Sequence, residues 1–312
     1  NAIRFDEGTS WRGRLWNAIP AASGDILNLR DIEQGLENFK RVPNVTADIR
    51  IEPGPIDGTS DLVVSWQEKR PVRLSFSLDD SGSKSTGRYL GSATLAIDAP
   101  FAQNDMFYAN ISKDLFDKGP FGNRSYTLNY FIPIGNWGFA ANYNEYNYHQ
   151  NIPNANEVLR YSGKSDTAQF TLSRLLFRDQ IHKTTLNLRT YRKTASNAVN
   201  DIDIEQHRRR TAGWEIGLNQ RSFLGNATLV ANINWRRGTG ASGARRAPEE
   251  DTHSGSARVG IFLGDISFNQ PFTLGEQSWR WNTTLRGQWT QHARTPQERM
   301  SIGGEEKGGG ER

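Results

Sequence analysis

The chain has 312 residues, 36% of them hydrophobic, and a mean hydropathy of −0.68. No run approaches the roughly 18 apolar residues of a membrane-spanning helix. Cysteine is absent, which excludes disulfides, thiolate metal sites and a thiol nucleophile. Basic residues (38) barely outnumber acidic ones (34), and a scattered net charge of +4 is no nucleic-acid footprint.

In chain order, Asn1 to Asp6 predicts a short strand. Thr9 to Ile19 predicts a helix, with Trp11, Leu15 and Ile19 spaced by four. Asn28 reads as an N-cap with Asp31 in the first turn, and Leu29, Ile32, Leu36 and Phe39 form one apolar stripe that Pro43 ends. Val45–Ile51 and Asp61–Trp66 read as strands around a turn cluster from Pro53 to Gly58. The order β-α-α-β-β makes a small α+β module over residues 1–69.

From Pro71 the period changes to two. Val72, Leu74, Phe76 and Leu78 alternate with Arg73, Ser75, Ser77 and Asp79. Ala227, Leu229, Ala231, Ile233 and Trp235 alternate with polar residues in the same way, so one face is apolar and the other wet. Strands are expected at roughly 71–80, 88–98, 105–114, 124–133, 137–147, 166–177, 183–193, 208–222, 226–237, 256–269 and 278–291. The connectors alternate between short turns and mostly longer polar loops such as Tyr148–Ser165, Thr194–His207 and Gly238–Gly255. Sorting of loops by parity is a property of an antiparallel transmembrane β-barrel. Nine Trp, nine Tyr and fifteen Phe can supply its interfacial girdles. About eleven strands is an odd number where bacterial single-chain barrels close with even ones, so an incomplete wall with two open edges is expected.

Several segments resemble the two-partner secretion transporters, the TpsB family. Gly24-Asp25-Ile26-Leu27-Asn28 through Glu37 resembles a POTRA helix, and Ser60-Asp61-Leu62-Val63-Val64 that domain's last strand. Leu78-Asp79-Asp80-Ser81-Gly82 with Thr86-Gly87-Arg88-Tyr89 is similar to the start of the family barrel. Arg208-Arg209-Arg210 through Glu215, Arg236-Arg237-Gly238-Thr239-Gly240 and Pro296 through Gly304 are similar in turn. The resemblance implies a POTRA domain over 1–69 (the family's second, whether or not complete at its start), the N-terminal part of the barrel over 70–304 and an aberrant tail over 305–312. It implies ATP-independent export of a large unfolded exoprotein (a TpsA-type haemolysin, adhesin or contact-dependent inhibition toxin) from periplasm to cell surface. The family's earlier POTRA domain, plug helix, Val-Arg-Gly-Tyr/Phe motif and remaining strands have no counterpart in these residues. An outer-membrane assembly factor built on the same plan, or a non-functional truncated remnant, are the alternative readings.

The expected partners are the exoprotein client, outer-membrane lipids and lipopolysaccharide, with no nucleic acid; the complete protein is expected to be monomeric. On the resemblance, the strand carrying Val45, Asp48, Ile49, Arg50 and Ile51 is a POTRA edge open to strand addition by the client, helped by Leu29, Ile32 and Leu36 where exposed. A blunted solvent edge guarded by Asp48 and Arg50 is the bland alternative. Arg73, Arg189, Arg280 and Arg286 fall on polar faces of their strands and are expected to line the lumen. No catalytic group, cofactor or metal is expected. Asp79-Asp80 fits a strand end better than a calcium or acid/base pair. Gly238-Thr239-Gly240 with Gly243 lacks the Gly-Lys-Ser/Thr of a phosphate loop. His149, His182, His207, His253 and His292 have no ligand spacing, and no Gly-x-Ser-x-Gly elbow is present. Arg208-Arg209-Arg210 must point to both faces of a strand, which fits a solvated rim or a phosphate contact.

Overall fold

Two sheets of different construction make up the molecule. The computed structural model describes residues 2–9, 13–80, 86–115, 121–153, 157–246, 250 and 255–291. Trp11, Ser81, Gly82, His253, His292 and the stretch 296–312 lie outside the described residues.

The first sheet has three strands, β1 (Ile3–Phe5), β2 (Val45–Pro53) and β3 (Ser60–Glu68). Their order is β1-β3-β2, with β1 parallel and β2 antiparallel to β3, so β2 lies at an edge. Helices α1 (Leu15–Ala18) and α2 (Leu29–Lys40) complete the module. The apolar stripe of α2 packs Phe39 onto Val64 and Trp66 of β3, with Ala18, Ile19 and Val42 in the same core. Gly35 permits the close approach of α1, since a Cβ there would stand 2.8 Å from Ile19 Cγ1. Asn28 caps α2 by accepting from the Arg30 N–H at 3.0 Å.

Of the helix expected over Thr9–Ile19, Leu15–Ala18 is helical among the described residues, and Arg14 before it is extended (φ −129°, ψ 130°). Its backbone groups are taken by a distant side chain. Asn104 Oδ1 accepts from the Arg14 N–H at 3.2 Å, and Asn104 Nδ2 donates to the Arg14 carbonyl at 2.7 Å. Tertiary hydrogen bonds here replace the helical turn that spacing alone suggests.

The second sheet runs through β4 (Val72–Asp79), β5 (Leu90–Asp98), β6 (Met106–Asp114), β7 (Phe121–Ile134), β8 (Trp137–Pro153), β9 (Val158–Arg178), β10 (His182–Val199), β11 (Ile202–Asp203), β12 (Arg209–Leu224), β13 (Ala227–Thr239), β14 (Gly260–Leu274) and β15 (Gln277–Trp289). Eleven of these form a continuous antiparallel path from β4 to β15, and β11 pairs beside β10. Among the described residues, β4 and β15 each pair on one side. The number and order of long strands match expectation; their lengths do not. Tyr148–Ser165 and Thr194–His207, expected as loops, are largely strand, since β8, β9 and β10 carry their ladders on through polar residues. Backbone pairing does not need an apolar face, so it outlasts the hydropathy pattern. At the opposite rim two-residue turns join β7 to β8 and β12 to β13; Gly135 (φ 56°) and Gly225 (φ 61°) supply the left-handed backbone they need.

From β4 to β10 the cross-strand register carries one largely polar face. Arg73 pairs with Ala96, then Tyr108, Asn129, Asn142, Gln169 and Tyr191 in succession. The opposite face holds Leu74, Phe76, Leu128, Phe170, Leu188, Ile233, Ile266 and Leu285, all large apolar side chains left exposed. A wall this exposed on its apolar side is built for lipid.

Candidate functional site

The small module is fastened to three successive turns of the long sheet. At the β5–β6 turn, Asn104 holds Arg14 and also donates to Asn17 Oδ1 at 2.6 Å; Trp16 Nε1 reaches Gln103 Oε1 at 3.2 Å. At the β7–β8 turn, the Gly135 N–H donates to the Asn17 carbonyl at 2.7 Å, while buried Asn38 donates to the carbonyls of Ala18 (2.7 Å) and Gly135 (2.8 Å). At the β9–β10 turn, Arg178 donates to Gln34 Oε1 and Glu37 Oε2, both at 2.8 Å, and Lys183 also bonds Glu37. Asn17, Asn38 and Asn104 are fully buried, and each is satisfied within this interlock. The Arg41 guanidinium lies 4.6 Å from the centre of the Phe131 ring.

Burial raises the Glu37 carboxyl, but the hydrogen bonds and charges of Lys183 and Arg178 together outweigh it and hold the group below its ordinary value of 4.5. Glu37 is therefore an ionised clasp at neutral pH.

Above this clasp lies a cavity of about 390 Å³ between α2 and the polar face of the long sheet. Gln34, Glu37 and Asn38 line it from the helix; Ser173, Asn187 and Arg221 line it from the strands. The polar face beyond it is a lattice of cross-strand hydrogen bonds, including Ser173 to Asn187 (2.8 Å), Asn110 to Thr94 (2.8 Å) and Asn232 to Asp265 (2.7 Å).

The register puts Arg73, Arg189, Arg280 and Arg286 on this one face. Two of them are pinned. Arg73 grips buried Asp98 with two bonds of 2.6 and 3.0 Å. Arg189 meets Glu215 at 3.1 Å, which Arg236 also engages at 2.9 Å. Arg280 and Arg286 are exposed on β15, with Arg286 opposite Asp265.

In the small module, Val45 and Ala47 face the core, Asp48 is exposed, Arg50 pairs with Asp6 at 2.6 Å, and Ile49 and Ile51 are progressively more open. Of the three helix residues expected to face a client, Ile32 is buried and Leu36 packs against the core, because the stripe they belong to is the one that holds the module together. Leu29 alone is well exposed, at 54%.

The other singled-out residues have local roles. Asp80 pairs with Arg88 at 3.1 Å, His182 Nδ1 shares a hydrogen bond with Ser222, and His207 lies beside Asn197. The interlock residues Asn38, Asn104, Arg178 and Lys183 escaped the sequence reading, because polar residues whose partners are far away in the chain leave no periodic trace. The positive φ of Asn104 (54°) is the one local signal, as Asn tolerates that conformation.

An amphipathic antiparallel wall with a POTRA-like module locked to its short-turn rim defines an outer-membrane β-barrel protein. A family model described as haemolysin secretion/activation protein ShlB/FhaC/HecB matches residues 58–307, and a POTRA-domain model matches residues 1–53. The chain belongs to this family of two-partner secretion transporters. It is 30% identical over 302 residues to the outer membrane transporter CdiB-2 of Burkholderia pseudomallei, covering 96% of this chain and 52% of that protein. It is 26% identical to the hemolysin transporter protein ShlB of Serratia marcescens, covering 96% and 53%. Among solved structures, CdiB from Acinetobacter baumannii superposes with a TM-score of 0.83 at 33% identity, over 98% of this chain and 55% of that one. CdiB from Escherichia coli gives 0.89 at 26% identity, over 97% and 56%. The chain thus spans about half the length of the relatives it matches. Its place is the outer membrane, with the POTRA module on the periplasmic side.

Proposed function

We propose that this chain forms the periplasmic intake and part of the conducting wall of an exporter that carries a large unfolded exoprotein to the cell surface without ATP. The cavity between α2 and the polar face carries the reading, because it joins a module with a free strand edge to a continuous hydrophilic wall. An extended client would add to β2 alongside Val45–Ile51, with Leu29 as an apolar contact. It would then pass the cavity and travel along the polar face, where Arg73, Arg189, Arg280 and Arg286 line the lumen. The relatives named as haemolysin and CdiB transporters support a client of that kind. Folding of the client outside would supply the drive and make release one-way.

The test is photo-crosslinking in cells that export a co-expressed haemolysin-type exoprotein through the transporter. Crosslinkers replacing Asp48 and Arg221 should both capture the client in transit, and one replacing Leu285 on the lipid side should not. Export that proceeds with no capture at Asp48 or Arg221 would sink the path.

A further inference from the structure

On the lipid side of the wall two aromatic rows mark the membrane boundaries. Near the short turns stand Trp279, Trp281 and Trp137, with the Arg174 guanidinium 4.8 Å from the Trp137 ring centre. Towards the long loops, Trp214, Trp235, Phe262 and Trp289 touch in succession, with ring centres 4.8, 6.3 and 5.7 Å apart. On β9, Lys164 lies on the same face as Arg174, ten residues nearer the loops. At about 3.3 Å per residue and a tilt near 40°, that is about 25 Å along the membrane normal, the height of a barrel's apolar band.

At this outer boundary the ends of β9, β10 and β12 enclose a cavity of about 280 Å³. It is lined by Lys164, Arg192, Arg208, Arg209, Arg210 and Arg245, with Asp166 the only carboxylate among the lining residues. Register places Lys164, Arg192 and Arg210 on the lipid-facing side. Arg208 is neutralised by Asp203, Lys164 meets Glu145 at 3.3 Å, and Arg192 lies 3.9 Å from Asp166. Arg210 and Arg245 form no ion pair among the described residues. The loop after β13 is strapped over the site by a 2.9 Å bond from the Arg245 N–H to the Arg210 carbonyl. Below it, on the same face and shared among β8, β9, β10 and β12, is a second hollow of about 660 Å³ whose walls include Phe139, Ala141, Phe170, Leu172, Leu188 and Trp214. Trp214 and Arg210 are four residues apart on β12, about 13 Å.

We infer that these two hollows form one site for a phosphorylated glycolipid of the outer leaflet, its phosphate held by Arg192, Arg210 and Arg245 and an acyl chain lying against Phe170 and Leu188. Arginine forks suit phosphate oxygens, and their position at headgroup level lets acyl chain and phosphate be held together. A free anion would use the upper hollow alone. The inference rests on the membrane placement of the sheet and not on export.

Native mass spectrometry of the protein purified from outer membranes tests it, with three probes: bis-phosphorylated lipid A, the same glycolipid dephosphorylated, and inorganic phosphate. The phosphorylated lipid should bind at least tenfold more tightly than either other probe. Arg192→Gln/Arg210→Gln should weaken it at least tenfold, while Lys193→Gln on the opposite face leaves it unchanged. Should the double variant not assemble, Arg245→Gln, in the loop, should give a smaller loss in the same direction. Undiminished binding by the assembled arginine variants, or equal binding of dephosphorylated lipid or of phosphate, overturns the site. Client export, scored separately on the wild-type protein, bears only on the function proposed above.

Discussion

Glu215 shows what a single residue does on the polar face. It is almost fully buried and answers two arginines, Arg189 and Arg236, whose side chains remain about one-third exposed. Arg236 also stands 5.5 Å from the Tyr191 ring centre, so the three side chains brace β10, β12 and β13 together. Replacing Glu215 by Gln keeps the shape and removes the charge. The expected cost is about 1–2 kcal/mol, discounted because water still reaches both arginines. The more telling effect is electrostatic. If Arg189 lines the conducting lumen, Glu215→Gln raises its positive charge by one, and the protein in planar bilayers should become more anion-selective. An unchanged or more cation-selective permeability ratio removes Arg189 from the lumen. Alternation alone put Arg189 on the wet face; Glu215, sitting among the small residues Gly213 and Gly217, gave no hint that it was a shared counter-ion.

At the level of elements, helix α2 is docked on the β9–β10 turn through an ionised Glu37, and that docking has a predictable pH dependence. The docked group has a lowered pKa relative to its ordinary 4.5. Its contribution is therefore complete above about pH 4.5 and is lost as pH falls through the docked value. Spin labels at Thr46→Cys and Gln180→Cys, in a chain with no native cysteine, should give one narrow distance distribution at pH 7 that broadens below pH 4.5. Glu37→Gln should broaden it at pH 7 and flatten the pH response. A wild-type distribution indifferent to pH would show that the buried asparagines alone hold the junction. Sequence periodicity found α2, its cap and its stripe correctly, because those are set within one helix. It assigned Ile32 and Leu36 to a client only as far as they are exposed, and both prove to face the core, while Leu29 at the start of the stripe stays open. The docking partners were invisible for a different reason: Asn104 and Arg178 act across 90 and more than 140 residues of chain, on elements that local pattern cannot bring together.

For the whole molecule, alternation of period two was enough to place eleven strands in order, because lipid imposes one rule on every strand it touches. The strand ends beyond the membrane obey no such rule, and there β8, β9 and β10 ran on where loops were expected. The same reasoning fixes which neighbouring residues tolerate a charge. Ile266 is 47% exposed on the apolar face, opposite Ala231 and Leu285, midway between the two aromatic rows. Ser267, the next residue, faces the polar side and hydrogen-bonds Thr284 at 3.3 Å. Ile266→Arg places a guanidinium at the level of the hydrocarbon midplane, at a cost of about 2–4 kcal/mol. Ser267→Arg adds the same group to a hydrated wall and forfeits one exposed hydroxyl contact, a loss within about 1 kcal/mol. Denaturant titration of the protein refolded into thin-bilayer vesicles should separate the two variants by at least 1 kcal/mol, with Ile266→Arg the weaker. Equal losses would mean that the two faces meet the same solvent, and a wall with the same solvent on both sides cannot be a membrane barrel whatever its strand order.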